Sequence, residues 1–206
     1  MAGEVSFVRV TAVVETKNGD VFFTDSDAHV VRKITKSTGI ITTIAGIPDQ
    51  SGFSGDGGPA TSAKFNYPVG FYFDELNGSL YIADTNNHRI RMVDSAGTIS
   101  TVAGNGVEGF SGDGGLATSA SLKWPRSIIG NDKGELFFAD IGNRRIRKVG
   151  VDKMISTIAG DGNYADFIEG EEATKSPLVE PTSLVLNDEG ELLFVSTYSL
   201  GAFVLK

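Results

Sequence analysis

The chain has 206 residues, 40% of them hydrophobic and 21% charged, with 26 glycines, no cysteine and a formal net charge of −8. That length buries a real core in one or two domains. The acidic balance disfavours nucleic acid, whose affinity rests on Lys and Arg, and the missing cysteine removes disulfides, thiolate metal sites and Cys nucleophiles.

The opening MAGEVSFVRVTAVVE has neither a basic n-region nor an apolar run of signal length. No stretch approaches the ~20 apolar residues of a bilayer-spanning helix. The expectation is a soluble chain with no membrane contact.

The stretch 78–104, GSLYIADTNNHRIRMVDSAGTISTVAG, returns at 134–160 and, more loosely, at 19–46. Asp25, Asp84 and Asp140 lie 59 and 56 apart; Pro68, Pro125 and Pro181 lie 57 and 56 apart; Phe53 and Phe110 lie 57 apart. Such a period marks an array of supersecondary units. In chain order, each unit predicts four short strands. The first runs over 69–73, 126–129 and 182–186, with 10–14 aligned to them in unit one. A turn carrying Asn18-Gly19, Asn77-Gly78, Lys133-Gly134 or Glu189-Gly190 follows. Second strands are predicted at 21–24, 80–83, 136–139 and 192–195. Third strands fall at 30–34, 89–93 and 145–149, with 202–205 as a weak fourth, and last strands at 40–45, 99–103 and 155–159.

Four antiparallel strands repeated radially describe a β-propeller blade, and runs apolar on both faces suit a sheet packed between two others. The fold class is therefore all-β: a single propeller unit over 1–206, with blades at about 10–46, 68–104, 125–160 and 181–206.

The strings YIADTNNHRIRMV, FFADIGNRRIRKV and FSGDGGPATSAKFNYP resemble NHL repeats, a β-propeller family, in its variety with a Gly-Asp-Gly-Gly loop between blades. The resemblance covers nearly the whole chain. It implies a partial propeller, since members close with about six blades. It also implies an interaction scaffold rather than an enzyme. Residues 3–9, GEVSFVR, resemble a last strand and would complete the fourth unit in a closed ring; an open arc of about four blades is the preferred expectation.

Aspartate and arginine recur seven residues apart at Asp25 and Arg32, Asp84 and Arg91, and Asp140 and Arg147. In unit four Ser196 and Phe203 replace both. A residue pair gained and lost together reads as a structural salt bridge. The alternative is a basic RNA-reading strip of Arg89, Arg91, Arg144, Arg145, Arg147 and Lys148. In each SGDGG loop, Asp56 or Asp113 is expected to bond local amides, and Thr61-Ser62 or Thr118-Ser119 to cap a short helical turn. One carboxylate per loop argues against calcium.

Propeller topology places Asn86, Asn87, His88, Asn143 and Arg144 on one rim as the candidate binding residues, near Tyr67 and Trp124. Loops held by a rigid scaffold are the usual place for binding. No nucleophile–base pair is legible, and first strands offer no converging ligands. The expectation is no catalytic residue, no metal and no cofactor. The expected partner is a protein or another copy of the chain, with a metal-dependent propeller hydrolase or lyase, lactonase-like, as the alternative.

Overall fold

The computed structural model describes residues 9–196 and, as backbone, 199–205. Its strands form four antiparallel sheets in chain order. The first holds β1 (Val10–Glu15), β2 (Val21–Asp25), β3 (Val30–Ile34) and β4 (Ile41–Ala45). The second holds β5 (Pro68–Asp74), β6 (Ser79–Asp84), β7 (Arg89–Val93) and β8 (Ile99–Ala103). The third holds β9 (Pro125–Gly130), β10 (Leu136–Asp140), β11 (Arg145–Val149) and β12 (Ile155–Ala159). The fourth, among the described residues, holds three strands: β13 (Pro181–Leu186), β14 (Leu192–Ser196) and β15 (Ser199–Leu205). Residues 3–8 of the candidate closing strand at 3–9 lie outside the described residues.

Each sheet is a blade because its strands bury both faces. Along β6, Leu80 and Ile82 enter an apolar cluster shared with Phe22, Val31 and Phe65, while Ala83 enters the next cluster with Leu122 and Phe138. Alternation of period two therefore feeds two cores instead of one core and solvent. A third cluster joins Ile146 and Ala139 to Leu184 and Phe194. Inner strands pack in order, β1 on β5, β5 on β9 and β9 on β13. Among the described residues no comparable contact returns from β13 to β1. The four blades form an arc, a partial propeller.

Strand pairing corrects the alignment of unit one by a residue. Phe71, Ile128 and Leu184 face Ile82, Phe138 and Phe194, and in the first blade it is Val13 that faces Phe23. Thr11, Val69, Arg126 and Thr182, each two residues earlier, therefore share one place in the fold.

Two turns shape the two ends of the second blade. In the hairpin between β5 and β6, only Gly78 takes positive φ (70°), and its N–H closes onto the Asp74 carbonyl at 2.8 Å. Asn77 does not join it, so this is not the two-residue turn that Asn-Gly suggests; Asp74 and Asn77 side chains hold a four-residue loop instead. Between β6 and β7, His88 is left-handed (φ 54°), and its carbonyl lies against Gly104. A Cβ on Gly104 would stand 2.2 Å from that oxygen, which is why the blade ends in Ala-Gly.

Candidate functional site

The recurrent charges converge inside the blades. In the second blade Asp84 closes β6 and is fully buried. Its Oδ1 accepts from the Asn66 backbone N–H at 2.8 Å; its Oδ2 accepts from the Asn87 amide at 2.8 Å and from Arg91 Nη1 at 3.4 Å. Arg91, also fully buried, turns its Nη2 outward to Asp56 Oδ1 at 2.7 Å and to the Ser54 carbonyl at 3.1 Å. The Phe53 ring lies 3.7 Å from the Arg89 guanidinium and 4.7 Å from that of Arg91. A buried cation is thus held between two carboxylates and roofed by an aromatic ring.

The third blade repeats this assembly. Asp140 accepts from Lys123 N at 2.7 Å, Asn143 at 2.8 Å and Arg147 at 3.2 Å. Arg147 reaches Asp113 at 2.8 Å and the Ser111 carbonyl at 3.0 Å beneath Phe110. Burial pushes Asp84 and Asp140 up to about 6, against the amides and arginines that favour their charged forms.

The loop aspartates therefore do not serve local amides. Asp56 takes Arg91 and the Thr101 hydroxyl, the latter at 2.7 Å, and so fastens its loop to the blade that follows. The backbone does the same. Gly57 N–H donates to Ile99 O at 2.8 Å, and Ile99 N–H returns to Gly58 O at 2.9 Å, covering the exposed edge of β8. The 3₁₀ turn at Ala60–Ser62 forms where a helical turn is expected, but no side chain caps it, and the same holds at Ala117–Ser119.

The first blade keeps Asp25 and Arg32 at 3.2 Å, with Thr43 as the arginine's second partner at 3.1 Å. Ala28 stands where Asn87 and Asn143 stand in the next two blades.

The rim residues divide. Asn87 and Asn143 point inward and donate to Gly52 and Gly109 carbonyls, each at 2.7 Å, as well as to the buried aspartates. They bind the loop of their own molecule. Asn86 is exposed, and its N–H donates to Asn66 O at 3.0 Å. His88 Nδ1 accepts the Trp124 N–H at 3.3 Å, just as His29 Nδ1 accepts that of Tyr67 at 3.1 Å. Both aromatic residues are left-handed (φ 56° and 51°), so each histidine props the strained entry of the next blade. Burial lowers His88, with Lys123 and Arg89 adding to it and Glu108, 4.0 Å away, opposing. Arg144 lies over Tyr164 at 5.2 Å and donates to Gly162 O at 3.4 Å.

The proposed arginine strip is not assembled. Arg91 and Arg147 are enclosed, and Arg89 and Arg145 stack on Phe53 and Phe110 while donating to Asn105 and Asp161 carbonyls. Among the described residues, no group of three His, Cys, Asp or Glu side chains gathers in a way that would hold a metal ion. No helix among them is long and apolar enough to cross a membrane.

The NHL repeat model matches residues 65–91, from Phe65 through the turn to Arg91. Teneurin-1 of Gallus gallus is 33% identical over 140 residues, covering 59% of this chain and 5% of that protein. NHL repeat-containing protein 2 of Homo sapiens is 27% identical over 145 residues, covering 67% of this chain and 20% of that protein. The chain thus spans a small part of the relatives it matches. Among solved structures, a streptogramin B lyase aligns with a TM-score of 0.62 and 18% identity over 95% of this chain and 51% of its own. At that identity the likeness is one of fold. Residues 65–91 therefore match an NHL repeat, and the chain is similar to NHL-repeat proteins in sequence and to β-propellers in fold.

Proposed function

We propose that this chain is a non-catalytic NHL-type propeller scaffold that presents the loops of one face to a protein partner. The observation that carries this reading is how the charged residues are spent. The repeated Asp, Arg and Asn side chains are consumed by internal contacts. The groups left outward on the rim are loop residues such as Asn86, Trp124 (44% exposed) and Tyr164 (63% exposed). A rigid blade carrying variable exposed polar and aromatic loops suits recognition. The metal-dependent hydrolase or lyase is the second reading, and RNA recognition by the third-strand arginines loses support because their guanidiniums are already engaged.

A photo-crosslinking residue at position 86, on the rim, and one at position 76, in the hairpin of the opposite face, test this in the native host. Adducts to one protein from position 86 but not 76 support a one-faced scaffold. Adducts from 76 alone, or from neither, overturn it. Stoichiometric divalent metal retained by the purified chain moves the reading to the hydrolase or lyase.

A further inference from the structure

Arg32, Arg91 and Arg147 recur at one place in three blades and are internally paired, so an arginine that breaks the repeat is informative. Arg126 is one. Its place in the fold is held by Thr11, Val69 and Thr182 in the other blades, and no blade architecture calls for a cation there. Every other arginine among the described residues has a hydrogen-bond, carboxylate or aromatic partner. Arg9 sits over Tyr67, Arg32 on Asp25, and Arg144 over Tyr164; Arg89, Arg91, Arg145 and Arg147 are bound as described above. Arg126 is exposed and has no such partner among the described residues.

It also lies between two cavities. One, of about 300 Å³, is at the rim and is walled by Tyr67 and Trp124 with Asn86 beside them. The other, of about 330 Å³, is bounded by the inner strands and reaches Ser127, Thr182 and Ser183. Arg126 lines both. Their volumes are those of small-molecule sites, where aromatic walls and a few converging polar groups fix a ligand. A lone guanidinium selects a planar anion through paired N–H donors.

We infer that Arg126, with Trp124 and Tyr67, forms a binding site for a small aryl carboxylate, its ring at the rim and its carboxylate on the guanidinium. The site shares Asn86 and Trp124 with the rim proposed above to face a protein, but the inference does not depend on that role. Ser183 and Thr182 supply hydroxyls on the inner side, and Trp124 supplies the stacking face.

Trp124 is the sole tryptophan of the chain, so its indole N–H gives a single reporter resonance. The full chain is titrated with benzoate and, separately, with its neutral isostere benzamide. Benzoate is expected to shift the indole signal saturably and to bind at least about tenfold more tightly than benzamide, the difference made by a charge-assisted pair. In Arg126→Gln the two probes are expected to become equal. Arg126→Lys, which keeps the charge but not the fork, is expected to recover part of the preference. Equal binding of the two probes to the unaltered chain overturns the inference, as does no saturable shift, or a benzoate preference untouched in Arg126→Gln. Far-UV circular dichroism of each variant shows that the blades remain folded. Failure here leaves the crosslinking experiment unaffected.

Discussion

The second blade and the fourth solve the same problem with opposite materials. In the second, Asp84 takes the N–H of Asn66 and pairs with Arg91, which faces Ile82 across β6 and β7. In the fourth, Ser196 stands in the aspartate's place and donates its hydroxyl to the Val179 carbonyl, and the backbone position in register with Phe194 holds Phe203 where an arginine would stand. Both arrangements tie the entering segment to the end of the second strand. Only the charged one goes on to bind the inter-blade loop. The loop before the fourth blade has no SGDGG, and the arginine is absent too. The aspartate, arginine, asparagine and loop are one device, present entire in blades two and three and dropped in blade four.

The largest effect expected from this contrast lies at the buried aspartates. Asp84→Ala leaves Arg91 enclosed with the part-exposed Asp56 as its one carboxylate partner, and unfolding in urea should lose about 3–5 kcal/mol. Ser196→Ala removes one neutral hydrogen bond and should cost about 1 kcal/mol. Equal losses would break the comparison.

A smaller effect is expected at the loop. Asp56 is 38% exposed, so solvent screens its bond to Arg91, and Asp56→Asn should cost about 1 kcal/mol. A double-mutant cycle with Arg91→Leu should show the two to be non-additive; additivity would mean the loop is held by its backbone alone. Phe53→Leu removes the aromatic roof and should cost about 0.5–1 kcal/mol, with faster hydrogen exchange at Gly57 and Ile99 than at Gly114 and Ile155. Uniform exchange in both blades would separate the ring from the loop's attachment.

A further effect is expected on pH dependence. The folded values of Asp84 and Asp140, about 6, stand above their ordinary 3.8. The folded chain therefore takes up these two protons before the unfolded chain does. Their contribution to stability grows as pH falls through 6 towards 4, and is constant below 3.8. The urea midpoint of the unaltered chain should gain on that of Asp84→Asn with Asp140→Asn between about pH 7 and about pH 5. No gain over that range would mean that the arginines hold both groups ionised.

Much of this was legible along the chain because it is written in local forces. Period-two runs such as LYIA and LFFA, turn glycines and a recurrence near 57 residues identify blades without reference to any distant contact. The Asp and Arg seven residues apart sit across one hairpin, so their meeting at Asp84 and Arg91 was within reach of spacing. The loop partner was not. Asp56 and Arg91 are 35 positions apart, and spacing alone offered local amides as the nearer donors. One signal was available: SGDGG precedes only the blades whose aspartate is followed three residues later by asparagine, Asp84 with Asn87 and Asp140 with Asn143.

The sequence by itself determined the blade, its strand order and the apolar faces that make each sheet lean on the next, because those depend on neighbours within a few residues or one strand away. Tertiary structure alone decided which carboxylate meets each buried guanidinium, that Asn87 and Asn143 face inward, and that Arg126, without a partner among the described residues, lines two cavities. Such outcomes depend on which segments cross in space, and a polar group taken out of water binds the partner that the crossing delivers, however far along the chain it comes from.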